Sequence, residues 1–277
     1  MKAFFLSSSI VLFAFFAHAQ NFHLNVYTGF SNYQGDLQDK EFTLNQAHVA
    51  GGFGFSYDIA SHFSIRTGFT IAKLSGDDKY SRNVTRNLNF STGITEANIG
   101  MEYFITAPIS QHSLTPYLFA GVALYHFNPY TYDSSGTKYF LQPLSTEGEG
   151  FVAGRNVYKL TQFALPFGAG VKLSLSDNVN VGLEFGYRKL FTDHLDDVST
   201  AYVDKSLLLA NRGAKAVELA YRGDELKNGN LNYPPSGQQR GEPKRNDAYY
   251  FTMLTLSFRL GGGGLGSMEY RCPGNVL

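Results

Sequence analysis

Three carboxylates and an imidazole crowd the stretch Phe191-Thr192-Asp193-His194-Leu195-Asp196-Asp197-Val198. Oxygen ligands at this density could hold Ca²⁺. An EF-hand loop, however, needs them on alternate positions with a Gly at the turn, and that pattern is absent. The competing reading makes Asp197 or Ser199 the N-cap of a helix, because 203–221 is rich in Leu, Ala, Lys and Glu with few breakers. Hydrolysis by a Ser-His-carboxylate set would draw on His194 or His48. No Gly-x-Ser-x-Gly occurs, and nothing has Walker or dinucleotide spacing. A second set of charges, Arg66, Glu96, Glu102, Lys172, Glu184, Arg188 and Arg259, falls on the polar parity of alternating segments. Such a set could form a proton or ion path. The reading adopted here is a structural network of ion pairs, each charge offsetting the burial cost of another. No catalytic residue, metal or cofactor is expected.

The elements that must carry these residues are strands. Apolar side chains recur every second position in segments of about ten residues, the period at which successive side chains leave opposite faces. Phe22, Leu24 and Val26 begin the first, Phe53, Phe55 and Tyr57 lie in the second, and Phe63, Ile65 and Phe69 in the third. The fourth carries Ala97, Ile99, Met101 and Tyr103; the sixth Phe163, Leu165 and Phe167; the seventh Val181, Leu183 and Phe185; the eighth Leu254, Leu256 and Phe258. In the fifth, 115–127, both parities are apolar and the facing is ambiguous.

Connections alternate between tight turns (Ala60-Ser61-His62, Ser176-Asp177-Asn178, a link near Pro108) and links of about 16 to about 56 residues. Eight strands with short turns at one end and long loops at the other predict an all-β, eight-stranded antiparallel transmembrane barrel. Its long loops would be extracellular, and both chain ends periplasmic. A soluble lipocalin-like barrel would turn its apolar parity inward instead. Here the other parity is Gly with Arg, Glu, Lys and Asn, which fits a lumen too narrow for large side chains.

Composition agrees. Charged residues are 17% of the 277, below the roughly 25% of soluble domains, while aromatics reach 15% without a Trp. Basic and acidic residues balance at 23 each, which gives no electrostatic reason to expect nucleic acid. Met1-Lys2, the apolar run Ala3 to Phe16 and Ala17-His18-Ala19 read as a secretory signal peptide over 1–19, and no later apolar run is long enough for a transmembrane helix. The barrel would then occupy 20–260. After Gly261-Gly262-Gly263-Gly264, a flexible hinge, 261–277 would form a short periplasmic tail. The lone Cys272 excludes a disulfide scaffold, leaving either pairing with another chain or no role.

Asn32-Tyr33-Gln34-Gly35-Asp36-Leu37, Tyr187-Arg188-Lys189-Leu190-Phe191-Thr192-Asp193-His194-Leu195-Asp196-Asp197-Val198-Ser199-Thr200 and Arg271-Cys272-Pro273 together resemble the PorG-like outer-membrane barrels of the Bacteroidetes. The resemblance implies an outer-membrane location and a non-enzymatic structural or assembly role in type IX secretion. It also implies periplasmic partners, namely a ring built from the PorK lipoprotein and PorN, in addition to outer-membrane lipids. Topology alone points to Tyr270, Arg271, Cys272 and Pro273 in the tail as the partner contact. The alternatives are a small ligand-binding or transport barrel, and a rim-active outer-membrane hydrolase.

Overall fold

The alternating segments become strands of 12 to 16 residues. The computed structural model describes residues 22–38, 40, 43–106 and 113–260. The predicted signal peptide, the link near Pro108 and the tail with Tyr270, Arg271, Cys272 and Pro273 lie outside the described residues. In chain order the strands are β1 (Phe22–Gln34), β2 (His48–Ala60), β3 (Phe63–Asp77), β4 (Asn89–Phe104), β5 (Leu114–His126), β6 (Tyr130–Tyr132), β7 (Lys138–Phe140), β8 (Thr161–Ser176), β9 (Val179–Leu190) and β10 (Ala248–Leu260). Eight long strands form the barrel, each antiparallel to its neighbours. The short pair β6 and β7 is a hairpin that sequence periodicity did not reveal, joined to β4 through Ser91 and Tyr130.

The ring closes where β1 pairs with β10 and β3 with β4. Its stagger can be read from the register. From Phe22 the ladder runs through Tyr57, Ile65, Met101, Ala120, Phe167, Tyr187 and Tyr250, then returns to β1 at Asn32, ten residues further on. For eight strands this shear implies a tilt of about 40° and an interior just wide enough to be filled by side chains.

Ile99, Val122, Leu183 and Leu254, all outward, are each at least half exposed. In water such a band would forfeit about 25 cal/mol for every Å² left uncovered, so hydrocarbon is its natural solvent. No helix among the described residues is long and apolar enough to cross a membrane. In β5 the structure fixes the ambiguous facing: Leu118, Val122 and Leu124 point out, while Tyr117, Phe119 and Tyr125 point in. Tyr117 is held inward by its hydroxyl, which donates to a lumen carboxylate described below.

Tight turns join β2 to β3 and β8 to β9 at one end. At the other end the connections are 35–47, 78–88, 127–160 and 191–247. The last contains α1 (Lys205–Arg212) and α2 (Ala214–Ala220), separated by Gly213 at φ 83°. The helix cap differs from expectation. Asp204 caps α1, its Oδ1 accepting from the Ser206 and Leu207 amides, whereas Asp197 and Ser199 are buried beneath the loops. Val203, Leu208, Ala216 and Ala220 give this layer a small core of its own.

The lumen leaves no room for added volume. A Cβ on Gly170 would come within 2.5 Å of the Tyr117 ring, whereas one on Gly93 meets nothing within 4 Å. Gly170→Val should therefore sharply reduce the yield of heat-modifiable barrel on refolding into detergent, and Gly93→Val should leave it near wild type. Gel mobility with and without boiling checks both.

Candidate functional site

Two charged layers fill the lumen. In the layer nearer the tight turns, Arg66 from β3 reaches Glu184 on β9 through both terminal nitrogens, at 2.6 and 3.3 Å. Arg66 also lies 3.2 Å from Glu102 on β4. Lys172 from β8 pairs with the other oxygen of Glu102. The Tyr117 hydroxyl donates to Glu184 at 2.7 Å, and the Phe119 ring lies 4.6 Å from the guanidinium carbon. In the second layer, Arg188 from β9 meets Glu96 on β4 at 3.1 and 3.2 Å. Glu96 accepts further bonds from Tyr249 at 2.7 Å and Asn98 at 3.0 Å, and Arg188 lies over Phe251. Two cations face two carboxylates in the first layer and one faces one in the second. Each layer is thus neutral, and its lone pairs are engaged, as burial requires.

Six of the seven charges singled out in sequence are thus ion-paired inside the lumen, all buried but Lys172, which is half-buried. Arg259 is apart: it is the penultimate residue of β10, exposed, on the rim of a turn-end cavity of about 240 Å³ with His23, Asp58 and Lys172. The barrel has already opened to solvent there, so no buried partner is needed.

Above the second layer an aromatic tier of Tyr125, Phe127, Phe90 and Tyr158 leads to the acidic stretch. Asp196 accepts the Tyr33 hydroxyl at 2.5 Å, and the same hydroxyl lies 3.1 Å from Asp247. The two stretches 32–37 and 187–200 therefore meet inside the barrel mouth. Asp247 also accepts the Leu195 amide at 2.8 Å, which staples the two ends of the 191–247 loop together. Asp197, at φ 67°, accepts from Thr146 and Tyr158 at 2.6 and 2.7 Å.

Arg240 binds the four long loops into one plug, a role that no sequence pattern disclosed. Its guanidinium donates to Glu147 at 2.9 Å, to the Asp197 carbonyl at 2.5 Å and to the Ala220 carbonyl at 3.2 Å. Its own carbonyl accepts from Arg86. Arg86 in turn forks onto Asp78 at 2.7 and 2.8 Å and reaches the Asp36 carbonyl at 3.1 Å.

Carboxylates outnumber cations in this plug, and protons make up the difference. Burial, with Asp196 and Asp36 nearby, pushes Asp193 up to about 9. Burial and Asp36 push Asp196 up to about 8. Burial and the neighbouring Asp197 carry Glu149 to about 7. Burial also acts on Glu147, but Arg240 and the Ser199 amide overcome it and hold that carboxyl below its usual range.

Glu147, Glu149 and His194 each bring one donor atom within 4.8 Å of the others, the one metal-like grouping among the described residues. Glu147 is ill suited to ligation: its two oxygens already accept from the Ser199 and Thr200 amides, the Thr200 hydroxyl and Arg240. His194 lies against the Tyr158 ring, 4.9 Å between centroids. His48 does pair with a serine, Ser75, at 2.7 Å. Among the described residues no carboxylate orients the His48 ring, so the geometry stops short of a triad.

Fold and site together define a membrane-type β-barrel whose lumen is closed by ion pairs and whose mouth is closed by its own loops. The chain belongs to the family described as Domain of unknown function (DUF6089), matched over residues 2–211. No curated protein matches it. Among solved structures it is similar to Neisserial surface protein A, with 10% identity, TM-score 0.41, and coverage of 87% of this chain and 97% of that one. It is similar also to Ail, the attachment invasion locus protein of Yersinia pestis, with 9% identity, TM-score 0.41 and coverage of 86% and 96%. OprG from Pseudomonas aeruginosa matches with 9% identity, TM-score 0.40 and coverage of 87% and 97%.

Two outcomes follow. Arg66→Met strands Glu184 and should cost about 3–5 kcal/mol, much of it recovered in the Arg66→Met/Glu184→Gln pair; urea unfolding in detergent measures both. Asp193, Asp196 and Glu149 hold protons in the folded plug that the unfolded chain releases near pH 4. Plug stability should therefore fall as pH rises from about 4 towards 9. Protease cleavage within 191–247 should accelerate over that range, and Asp193→Asn should flatten the dependence.

Proposed function

We propose that this chain is an outer-membrane barrel that acts as a structural, assembly component, without enzymatic activity. The observation that carries the reading is the sealed lumen. Two neutral ion-pair layers fill the lumen and a four-loop plug covers its loop end, while the apolar exterior suits a bilayer. A barrel filled in this way offers a rigid body with two distinct polar ends. The turn end would face the periplasm and the loop end the exterior.

The resemblance to PorG-like barrels, carried by 187–200 and 32–37, supports a place in type IX secretion with the periplasmic PorK and PorN ring as partner. Topology adds a route to it. Strand β10 ends at Leu260 on the turn end, so the tail holding Tyr270, Arg271, Cys272 and Pro273 would leave the barrel on the periplasmic side.

Affinity purification of the tagged chain from detergent-solubilised outer membranes, with and without reductant, tests this reading. Recovery of ring lipoproteins is expected, lost on deleting 261–277; loss under reductant alone would assign the contact to Cys272. Single-channel recording in planar bilayers should show no stepwise conductance. A conducting barrel recovered without partners would favour transport and overturn the proposal.

A further inference from the structure

Charge on the barrel's outer surface is distributed unevenly. At the turn end the outward positions are Phe22, Tyr57, Tyr103, Leu173, Val179 and Phe258 and their neighbours, and among the described residues none carries a charge. At the loop end, Lys73, Lys159 and Lys189 occupy outward positions and are exposed. The lysines that form ion pairs among the described residues are others: Lys79, Lys172 and Lys215. An exterior lysine placed just above an apolar band has one natural counter-charge, the phosphate of a lipid headgroup, towards which its stem can extend while staying in contact with hydrocarbon.

One of these lysines, Lys159, lines a cavity, and Lys189 lies below it on β9. Between β8 and β9, on the outside of the barrel, a recess of about 490 Å³ is lined by Tyr158, Lys159, Thr161, Gln162, Phe163 and Phe191. Phe163 and Phe191 each follow directly on the last ladder pair, Ala164 and Leu190, and both line the recess. They are 67% and 58% exposed, more than the apolar positions of the mid-band. Lys189 lies two positions below Phe191 on β9, and Lys159 lies four positions above Phe163. The Gln162 amide donates to the Lys159 carbonyl at 2.8 Å and the Thr161 hydroxyl meets His126 at 2.9 Å, which fixes the backbone along one wall. An aromatic recess on the outer surface, with Lys159 in its wall and Lys189 just below, neither ion-paired among the described residues, has the form of a seat for a lipid that bears both an acyl chain and phosphate.

We propose that this recess is a binding site for a phosphorylated, acylated lipid of the loop-end leaflet. Phe163 and Phe191 hold an acyl chain, Lys159 holds one headgroup phosphate, and Lys189, its stem extending upward past Phe191, reaches a second. Such a site fixes one face of the barrel against a specific headgroup. It rests on the membrane reading above but not on the secretion role, so failure to co-purify ring proteins leaves it standing.

The test uses the full chain purified in a neutral detergent, with bound lipid counted by native mass spectrometry. The probes are diphosphorylated lipid A, the same lipid enzymatically dephosphorylated, and inorganic phosphate. Each lysine contact to an anionic headgroup is worth about fivefold in affinity. Lys159→Gln/Lys189→Gln should therefore weaken the phosphorylated lipid about 25-fold and leave the dephosphorylated one unchanged. Phe163→Ala/Phe191→Ala should weaken both lipids. Heat-modifiable gel mobility establishes that each variant is folded, and Lys159→Arg/Lys189→Arg should restore binding. Equal binding of the two lipids to the wild type would overturn the headgroup contact. Inorganic phosphate binding as tightly as the lipid would overturn the acyl site, and undiminished binding by the Lys159→Gln/Lys189→Gln protein would overturn the proposal as a whole.

Discussion

An eight-stranded ring with a stagger of ten residues encloses a space that side chains must fill, and the apolar face of every strand is already committed to the outside. Below the aromatic tier the interior therefore draws largely on the polar parity, and polar groups in a narrow low-dielectric space must neutralise one another. From this constraint come the glycines, which make room, and the pairing of Arg66 and Lys172 with Glu184 and Glu102, and of Arg188 with Glu96. Tyr117 and Tyr249 complete the hydrogen bonding of these acids. Phe119 and Phe251 lie against the guanidinium faces where another donor or acceptor would go unmet.

The loops answer the same demand at the mouth. Asp193, Asp196 and Glu149 have too few cations among them, and proton retention takes the place of counter-charge. The residues that most resemble a functional motif, 187–200, thus build the stopper of the barrel. The partner stretch 32–37 supplies Tyr33 and Asp36 to the same cluster. A density of carboxylates that looks like ligand chemistry in one dimension is here the outcome of closing a tube with its own chain.

Much of the barrel was legible because the period of two and the rhythm of turns are local. Phe53, Phe55 and Tyr57 declare their facing without reference to any other strand. So do Arg66 and Glu184, since parity alone puts them inside. What parity could not give is who meets whom: that Glu102 is shared by Arg66 and Lys172 depends on the shear, which belongs to the whole ring. Arg259 shows the limit, because parity places it inward although the barrel ends beneath it. Arg240 was hidden for another reason. It sits in a stretch rich in Gly, Pro and polar residues, and its importance comes from a carboxylate on the 127–160 loop, two distant carbonyls of its own loop and the Arg86 guanidinium of the 78–88 loop. Asp204 rather than Asp197 caps α1 because the helix begins only at Lys205, while Asp197, eight residues earlier, turns inward to Thr146 and Tyr158.

The pairing of β1 with β10 has a consequence for how the molecule is made. Phe22 is the ladder partner of Leu260, so the seam that closes the ring joins residues from the two extremes of the described chain. No partial product can close: until the last strand has been delivered, the first keeps an open edge and Arg66 and Arg188 keep an unsealed lumen. Export and insertion must therefore handle the polypeptide as a whole, and truncation near the C-terminus would remove the closing seam rather than a peripheral strand. The same adjacency of ends means that covalently joining them and cutting within a long loop would preserve every strand pairing, making the order of strands along the chain separable from their order around the barrel.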